Sequence, residues 1–356
     1  MKNVLSICFL IGYVSLSYSQ IYDLENDNAI YLYEPLTDEF NLATTYDNTK
    51  WTWTPGYSEH NGSSCLQDDH NNISVQSGYL RLSVQKESSA CSDIWGETFN
   101  EEFTSGNLFG LNETQYGYFE VRFKITPIPS APYTQDGFSA NAWLWRSWVP
   151  YNGIWSEIDL AEIDASDHRH TCNVIYDPNE DDDIPSQQNI RCPVGSPDPC
   201  SPPDLILTEG WHTYTAVWHP NTIILYVDGA EINRGYIGTP GMEPMNWILS
   251  TSTGEYQFDT EIGEYTSFPF HMDVDYVRVY KLLMDCETVI NTCSFYFGGH
   301  DDKVKKSITI GCDGSSNIQP IGSSTYLRAT DFVEIYGNFE VPLGAELTIE
   351  TIGTCY

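Results

Sequence analysis

Short runs in which apolar and polar residues alternate recur along the chain. Clear examples are residues 79–85, 119–125 and 274–280. Each run predicts a β-strand with one buried face, because successive side chains of a strand point to opposite sides. Residues 223–227 lead into Asp228 and Gly229, the dipeptide of a tight hairpin turn, and no long segment has the period of a helix. The pattern predicts an all-β fold, an antiparallel sandwich.

The sandwich pattern occupies residues 29–283, which contain no linker-like stretch. Composition changes near Asp285, because residues 285–356 are richer in Gly, Ser and Thr, contain four Cys and have no Trp. We predict a small Cys-containing β module there, with two or three strands in residues 332–352. Residues 179–204 combine an acidic and a Pro-rich stretch and are predicted to form one long irregular insertion.

The composition adds a strongly acidic character. The chain has 356 residues, with 16 Lys and Arg against 50 Asp and Glu, and a formal net charge of −34. Aromatic residues make up 14%, which favours a folded protein over a disordered acidic chain. The charge would repel polyanions, so neither a nucleic acid nor a membrane surface is expected as a partner.

The first residues have the three parts of a secretory signal peptide. Lys2 precedes an apolar run at residues 4–14, and small residues follow at Ser17 and Ser19. The apolar run is too short to span a bilayer. We predict a signal peptide over residues 1–19 and a secreted, extracellular protein.

Export permits disulfides, and the predicted mature chain keeps nine of the 10 cysteines. We expect local pairs between Cys65 and Cys91 and between Cys192 and Cys200, while the four C-terminal cysteines pair among themselves. The odd number leaves one thiol outside the disulfides. Cys172 is our candidate, because it lies in a strand-like run where a buried Cys acts as a small hydrophobic residue.

Candidate chemistry concentrates in residues 155–163, a strand with three acidic residues. Alternation places Glu157 and Asp159 on one face but sends Glu162 to the other. One extra residue at Leu160 and Ala161, a β-bulge, would return Glu162 to the face of the other two. We therefore predict three carboxylates in a row, at least one of them with a raised pKa.

Two carboxylates on one face suit glycoside hydrolysis, in which one attacks the anomeric carbon and the other protonates the leaving oxygen. Positions this close on one strand leave no room for an intervening water, so a retaining mechanism with a separation of roughly 5–5.5 Å is expected. An acidic strand could also be a solvated surface or a calcium site.

Together with its flanks, the strand resembles glycoside hydrolase family 16, the laminarinases, agarases and carrageenases. The family signature E-I-D-x-x-E is matched by residues 157–162. Segments similar to other family strands follow in the family's order, at residues 38–41, 50–51, 116–122, 142–144, 211–214, 226–229 and 274–280. The resemblance covers residues 29–283 and implies a concanavalin-like β-jelly-roll catalytic domain. The unit at 285–356 resembles short β modules appended to secreted polysaccharide enzymes.

The resemblance also implies roles for individual residues. Glu157 would be the nucleophile, Glu162 the acid/base, and Asp159 would hydrogen-bond the nucleophile. The spacing is similar to that of laminarinases and galactanases rather than lichenases. No cofactor is expected for the chemistry, but a structural calcium ion would be bound at Asp275.

Substrate contacts are expected from aromatic rings, because sugars present C–H faces that pack on them. The candidates are Trp143, Trp145 and Trp155, which precede or begin the acidic strand. Many family members place a His on the following strand; here that strand has Cys172 and Asn173 instead, so His170 is the candidate.

We expect a monomer that hydrolyses internal bonds of a polysaccharide, most simply a neutral β-1,3-glucan of the laminarin type. A galactan of the agar, porphyran or carrageenan type is the alternative, and its sulfate groups would require bases such as Arg146, Arg169 or Arg191. The third hypothesis is a non-catalytic β-glucan-binding protein. Such proteins tend to lose one Glu of the signature, whereas both are retained here.

Overall fold

The computed structural model describes residues 24, 27–42, 44–53, 56–57, 64–92, 96–127, 130–146, 155–166, 170–177, 210–220, 222–235, 242–253, 262–353 and 355. The predicted signal peptide, the insertion at 179–204 and the Cys192–Cys200 pair lie outside these residues. Within them, no helix reaches the length and apolarity needed to cross a membrane. Almost all regular structure is β-strand, which confirms the predicted fold class.

Two antiparallel sheets form the sandwich. The eight-stranded sheet has the order β17 (Ala230–Gly235), β16 (Thr222–Val227), β15 (His212–His219), β11 (Gly117–Ile125), β19 (Phe270–Leu282), β6 (Tyr79–Val84) and β5 (Ile73–Gln76), and β1 (Ile30–Leu32) also pairs with β19. The six-stranded sheet has the order β14 (His170–Asp177), β13 (Trp155–Asp164), β12 (Phe138–Trp145), β18 (Asn246–Thr253), β10 (Asn107–Gly110) and β2 (Trp51–Thr52).

Smaller elements lie beside the sandwich. They are β3 (Gly56–Tyr57), β4 (Ser64–Leu66), β7 (Ser89–Ser92), β8 (Thr98–Glu101), β9 (Phe103–Ser105) and a 3₁₀ turn at Glu34–Leu36. The predicted hairpin joins β16 to β17 through Asp228 and Gly229, whose φ angles of 48° and 78° give the turn its left-handed backbone.

The core lies between the two sheets and follows the alternation of the sequence. Phe119, Phe123 and Trp218 enter it from the eight-stranded sheet, and Ile158 and Trp247 enter it from the six-stranded sheet. All five are essentially inaccessible to solvent. The polar alternates of each strand therefore form the two outward faces of the sandwich.

The C-terminal module has a different architecture. Its main sheet has the order β20 (Met284–Thr292), β21 (Val304–Ile310), β23 (Ser324–Ile335) and β25 (Glu346–Thr351), and a second sheet pairs β22 (Ser316–Ile318) with β24 (Asn338–Glu340). All of these pairs are parallel, and a 3₁₀ turn at Phe297–Gly299 follows β20. From β21 to β25 the chain alternates between the two sheets and so winds in stacked coils.

The module packs on the outward face of the eight-stranded sheet. Tyr118, Val217 and Ile224 of that face form one buried cluster with Val304 and Ile352 of the module. The module is therefore on the opposite side of the sandwich from the six-stranded sheet. The boundaries 29–283 and 285–356 themselves stay predictions.

A buried ionic group reinforces this contact. The Arg328 guanidinium is fully buried, forms an ion pair with Asp27 ahead of β1, and donates to Glu350 of β25 at 2.8 Å. A buried charge needs such partners, because its desolvation is otherwise strongly unfavourable.

Most of the predicted cysteine pattern is confirmed. Disulfides join Cys65 to Cys91, Cys286 to Cys355 and Cys293 to Cys312. Cys172 is buried and takes part in no disulfide, as expected.

Candidate active site

The predicted β-bulge is present in β13. Asp159 lies opposite Asn173 of β14, and Glu162 lies opposite Thr171, so Leu160 and Ala161 share a single opposing residue. The pairing with β12 shifts at the same point. The extra residue returns Glu162 to the outward face, while Leu160 and Ala161 stay buried in the core.

The three carboxylates of β13 interact with one another on this outward face. Asp159 is only 2% exposed and is hydrogen-bonded to Glu157. Burial, followed by the charges of Glu157 and Glu162, raises the pKa of Asp159 well above its ordinary value. Burial and then the charge of Glu157 raise the pKa of Glu162 to about 7. The predicted rise in pKa is thereby confirmed at two of the three acids.

Two neutral donors on β14 contact Glu162. The Thr171 hydroxyl donates to Oε2 at 2.9 Å, and the Asn173 amide donates to the same oxygen at 2.7 Å. Both bonds favour the ionised carboxylate and so act against the rise in the pKa of Glu162. Neither residue was singled out from the sequence. The signal was available, because Thr171 and Asn173 flank Cys172, whose predicted burial sends both neighbours outward.

Two of the predicted aromatic contacts lie beside the carboxylates. On β12, Trp143 is opposite Asp159 and Trp145 is opposite Glu157. Both rings are half-buried, and their centroids are 6.3 Å apart. The rings therefore lie along the acidic row, where a sugar could pack against them. Trp155 begins β13, but its side chain is outside what the structure describes.

His170 does not lie on the carboxylate face, where a contact with substrate was expected. His170 lies opposite Ile163, and both point into the core. Its Nε2 is 3.1 Å from the carbonyl oxygen of Leu160, and its ring packs edge-on against Tyr214 of the other sheet. Alternation along β14 explains the difference, because His170 shares the inward parity of the buried Cys172, while Thr171 and Asn173 point to the carboxylate face.

The calcium site at Asp275 stays a prediction, and in this structure Asp275 has a cationic partner. Its carboxylate forms an ion pair with the Arg122 guanidinium at 2.5 Å on the outward face of the eight-stranded sheet. Among the described residues, no group of three or more His, Cys, Asp or Glu side chains could hold a metal ion. The sequence could not predict this ion pair, because Arg122 is on β11 and Asp275 is on the neighbouring strand β19, which is distant along the chain.

Of the three bases considered for a sulfated substrate, the described one is already engaged. The Arg146 guanidinium is largely buried and forms an ion pair with Glu243 at 3.6 Å. Arg169 and Arg191 lie outside the described residues.

Comparison with known proteins supports the family resemblance. The sequence model described as "Glycosyl hydrolases family 16" matches residues 59–277. The chain is 26% identical over 274 residues to the endo-1,3-1,4-beta-glycanase EglC of Rhizobium meliloti, covering 71% of this chain and 53% of EglC. It is 26% identical over 269 residues to glucan endo-1,3-beta-glucosidase A1 of Niallia circulans, covering 68% of this chain and 37% of that protein.

The fold is similar to that of solved structures. The endo-beta-1,3-glucanase of Pyrococcus furiosus superposes with a TM-score of 0.53 at 24% identity, over 71% of this chain and 95% of that one. The similarity supports the sandwich fold, while the chain itself spans about half or less of the length of the two curated relatives.

Proposed function

The chain belongs to glycosyl hydrolase family 16, and we propose that it is a retaining endo-glycosidase that hydrolyses internal bonds of a β-1,3-glucan. The observation that carries the proposal is the row Glu157, Asp159 and Glu162. In this row the pKa of Glu162 is raised to about 7 next to a second carboxylate. Such a pair supplies a nucleophile and a protonated acid at the same pH.

In the first step, Glu157 attacks the anomeric carbon while Glu162 gives its proton to the glycosidic oxygen. The bond between sugar and leaving group breaks, and a glycosyl ester forms on Glu157. Asp159, whose raised pKa keeps it protonated, donates a hydrogen bond to Glu157 and holds the nucleophile in place.

In the second step, the ester has removed the negative charge of Glu157. That charge is one of the two causes that raise the pKa of Glu162, so this pKa falls once the ester forms. Glu162 is then ionised and takes a proton from the water that attacks the ester. The same side chain therefore acts first as acid and then as base.

Several observations favour a neutral glucan. Trp143 and Trp145 offer aromatic surface beside the acids, and the Arg146 guanidinium is already paired with Glu243. A sulfated galactan would meet carboxylates here without that base to offset them. The name of A1 refers to a 1,3-linked β-glucan, and the name of EglC refers to 1,3- and 1,4-linked β-glycans, which points the same way. We also propose export, on the signal-peptide pattern of residues 1–19.

The test is a reducing-sugar assay of the purified protein on laminarin, mixed-linkage β-glucan, agarose, porphyran and carrageenan. We expect laminarin to be hydrolysed fastest. Faster hydrolysis of a galactan would replace the glucan assignment with the galactanase alternative. Binding of laminarin without hydrolysis of any substrate would instead support the hypothesis of a non-catalytic β-glucan-binding protein.

A further inference from the structure

Two described donors contact the same oxygen of Glu162. Thr171 and Asn173, two residues apart on β14, both donate to Oε2, at 2.9 and 2.7 Å. A carboxyl oxygen has two lone-pair sites, so these two donors occupy both sites of Oε2. The proton of the neutral acid then has to reside on Oε1.

We propose that Thr171 and Asn173 are positioning residues that make Oε1 of Glu162 the atom that delivers the proton to the leaving oxygen. The proposal rests on the proposed glycosidase function and adds a residue-level account of how its acid is set. In the transfer, the O–H bond at Oε1 breaks as the glycosidic oxygen gains the proton. The electron pair stays on the carboxylate, whose new charge the two donors stabilise.

The surroundings of Glu162 make these donors important. Glu157 and Asp159 face it from its own strand, and Asn141, which is uncharged, lies opposite it on β12. From β14, the buried Cys172 thiol lies behind the acidic row. The described neighbours with a charge are thus carboxylates, which would make Glu162 retain its proton too strongly. Thr171 and Asn173 counteract this, because they favour the ionised form.

The atom assignment can be tested by neutron diffraction of deuterated crystals grown below pH 7. We expect deuterium on Oε1 of Glu162 and donors from Thr171 and Asn173 on Oε2. Deuterium on Oε2 would overturn the proposal. This result does not depend on whether any polysaccharide is hydrolysed.

The positioning role can be tested with Thr171→Val and Asn173→Leu, which remove the donors at nearly constant volume. Each change should move the titration midpoint of Glu162 upward by about one pH unit, since a hydrogen bond to a charged group is lost. The readout is a carbon-13 NMR titration of the Glu162 carboxyl, assigned by its loss in Glu162→Gln. Thr171→Ser should restore the wild-type midpoint, and Thr222→Val on β16 should not change it.

An unchanged midpoint in both Thr171→Val and Asn173→Leu would contradict the positioning role even if the enzyme is active. Where hydrolysis is measurable, the basic limb of the kcat/KM profile should move with the NMR midpoint. The variants should also lose more activity on laminarin, whose leaving group needs a proton, than on an aryl glycoside with a good leaving group. Equal losses would contradict the proposal, whereas no hydrolysis by wild type would count only against the proposed function.

Discussion

The two outward faces of the sandwich both carry carboxylates, but the groups that surround these carboxylates differ between the faces. On or beside the eight-stranded sheet, three acids meet guanidinium groups, in the pairs Arg81–Asp273 at 2.6 Å, Arg122–Asp275 at 2.5 Å and Arg278–Glu39 at 2.7 Å. On the six-stranded sheet, Glu157, Asp159 and Glu162 meet one another and the neutral donors of β14.

The difference shows how one residue type becomes structural on one face and reactive on the other. The hydrogen bond to Asp273 raises the pKa of Arg81, so the guanidinium keeps its charge. Burial and like charge instead raise the pKa of Glu162 to about 7, so its proton is exchangeable near neutral pH. A carboxylate becomes useful for proton transfer where burial and like charge raise its pKa towards neutrality.

The largest expected effect is the loss of the nucleophile. Glu157→Gln should lower kcat on laminarin by at least about 10⁴-fold, because no covalent glycosyl ester can form. The measurement is a reducing-sugar assay at saturating substrate, with circular dichroism to confirm the fold. The matched control is Glu231→Gln, which removes an acid paired with Arg234 on the eight-stranded sheet and should retain full activity. Near wild-type turnover in Glu157→Gln would refute the assignment.

The next effect concerns the side of the sandwich that the module covers. Arg328→Met should lower the free energy of unfolding by about 3–5 kcal/mol, since it leaves the buried Asp27 and the partly buried Glu350 without their cation. Urea denaturation measures this. Removing the more accessible Arg234 should cost at most about 0.5 kcal/mol. Activity per folded molecule should be unchanged, and a stable Arg328→Met protein with impaired turnover would contradict the separation of the two faces.

The smallest effect is expected at the aromatic platform. Trp143→Ala should raise KM for laminarin roughly tenfold with a smaller change in kcat, because a stacking surface for sugar is lost. The control is Trp211→Ala, whose ring packs against Lys124 on the eight-stranded sheet, and whose KM should stay near wild type. Equal changes in the two variants would show that Trp143 has no special role at the substrate.

Much of the fold and of the candidate site could be predicted because it is encoded in local alternation. The side-chain parity of β13 is enough to infer the bulge at Leu160 and Ala161, and the strand-like surroundings of Cys172 predict its burial. The hairpin at Asp228 and Gly229 is encoded in two adjacent residues whose turn requires positive φ.

The features that could not be predicted depend on register between strands. Asp275 is bound by Arg122, which is distant in sequence. His170 is different, because its two-residue offset from Cys172 already predicts that it faces the core. Alternation likewise predicts that the C-terminal module has strands, but not that they are parallel. It also gives no indication that Val304 and Ile352 pack on the eight-stranded sheet.

The central claim is that Glu157 and Glu162 cooperate in a double displacement. The most direct measurement is proton NMR of the anomeric region during the first minutes of laminarin hydrolysis, before the product equilibrates in water. Two successive displacements return the original configuration, so the β-anomer should appear first and the α-anomer only later. Initial release of the α-anomer would mean a single displacement by water and would contradict the assignment of Glu157 as nucleophile.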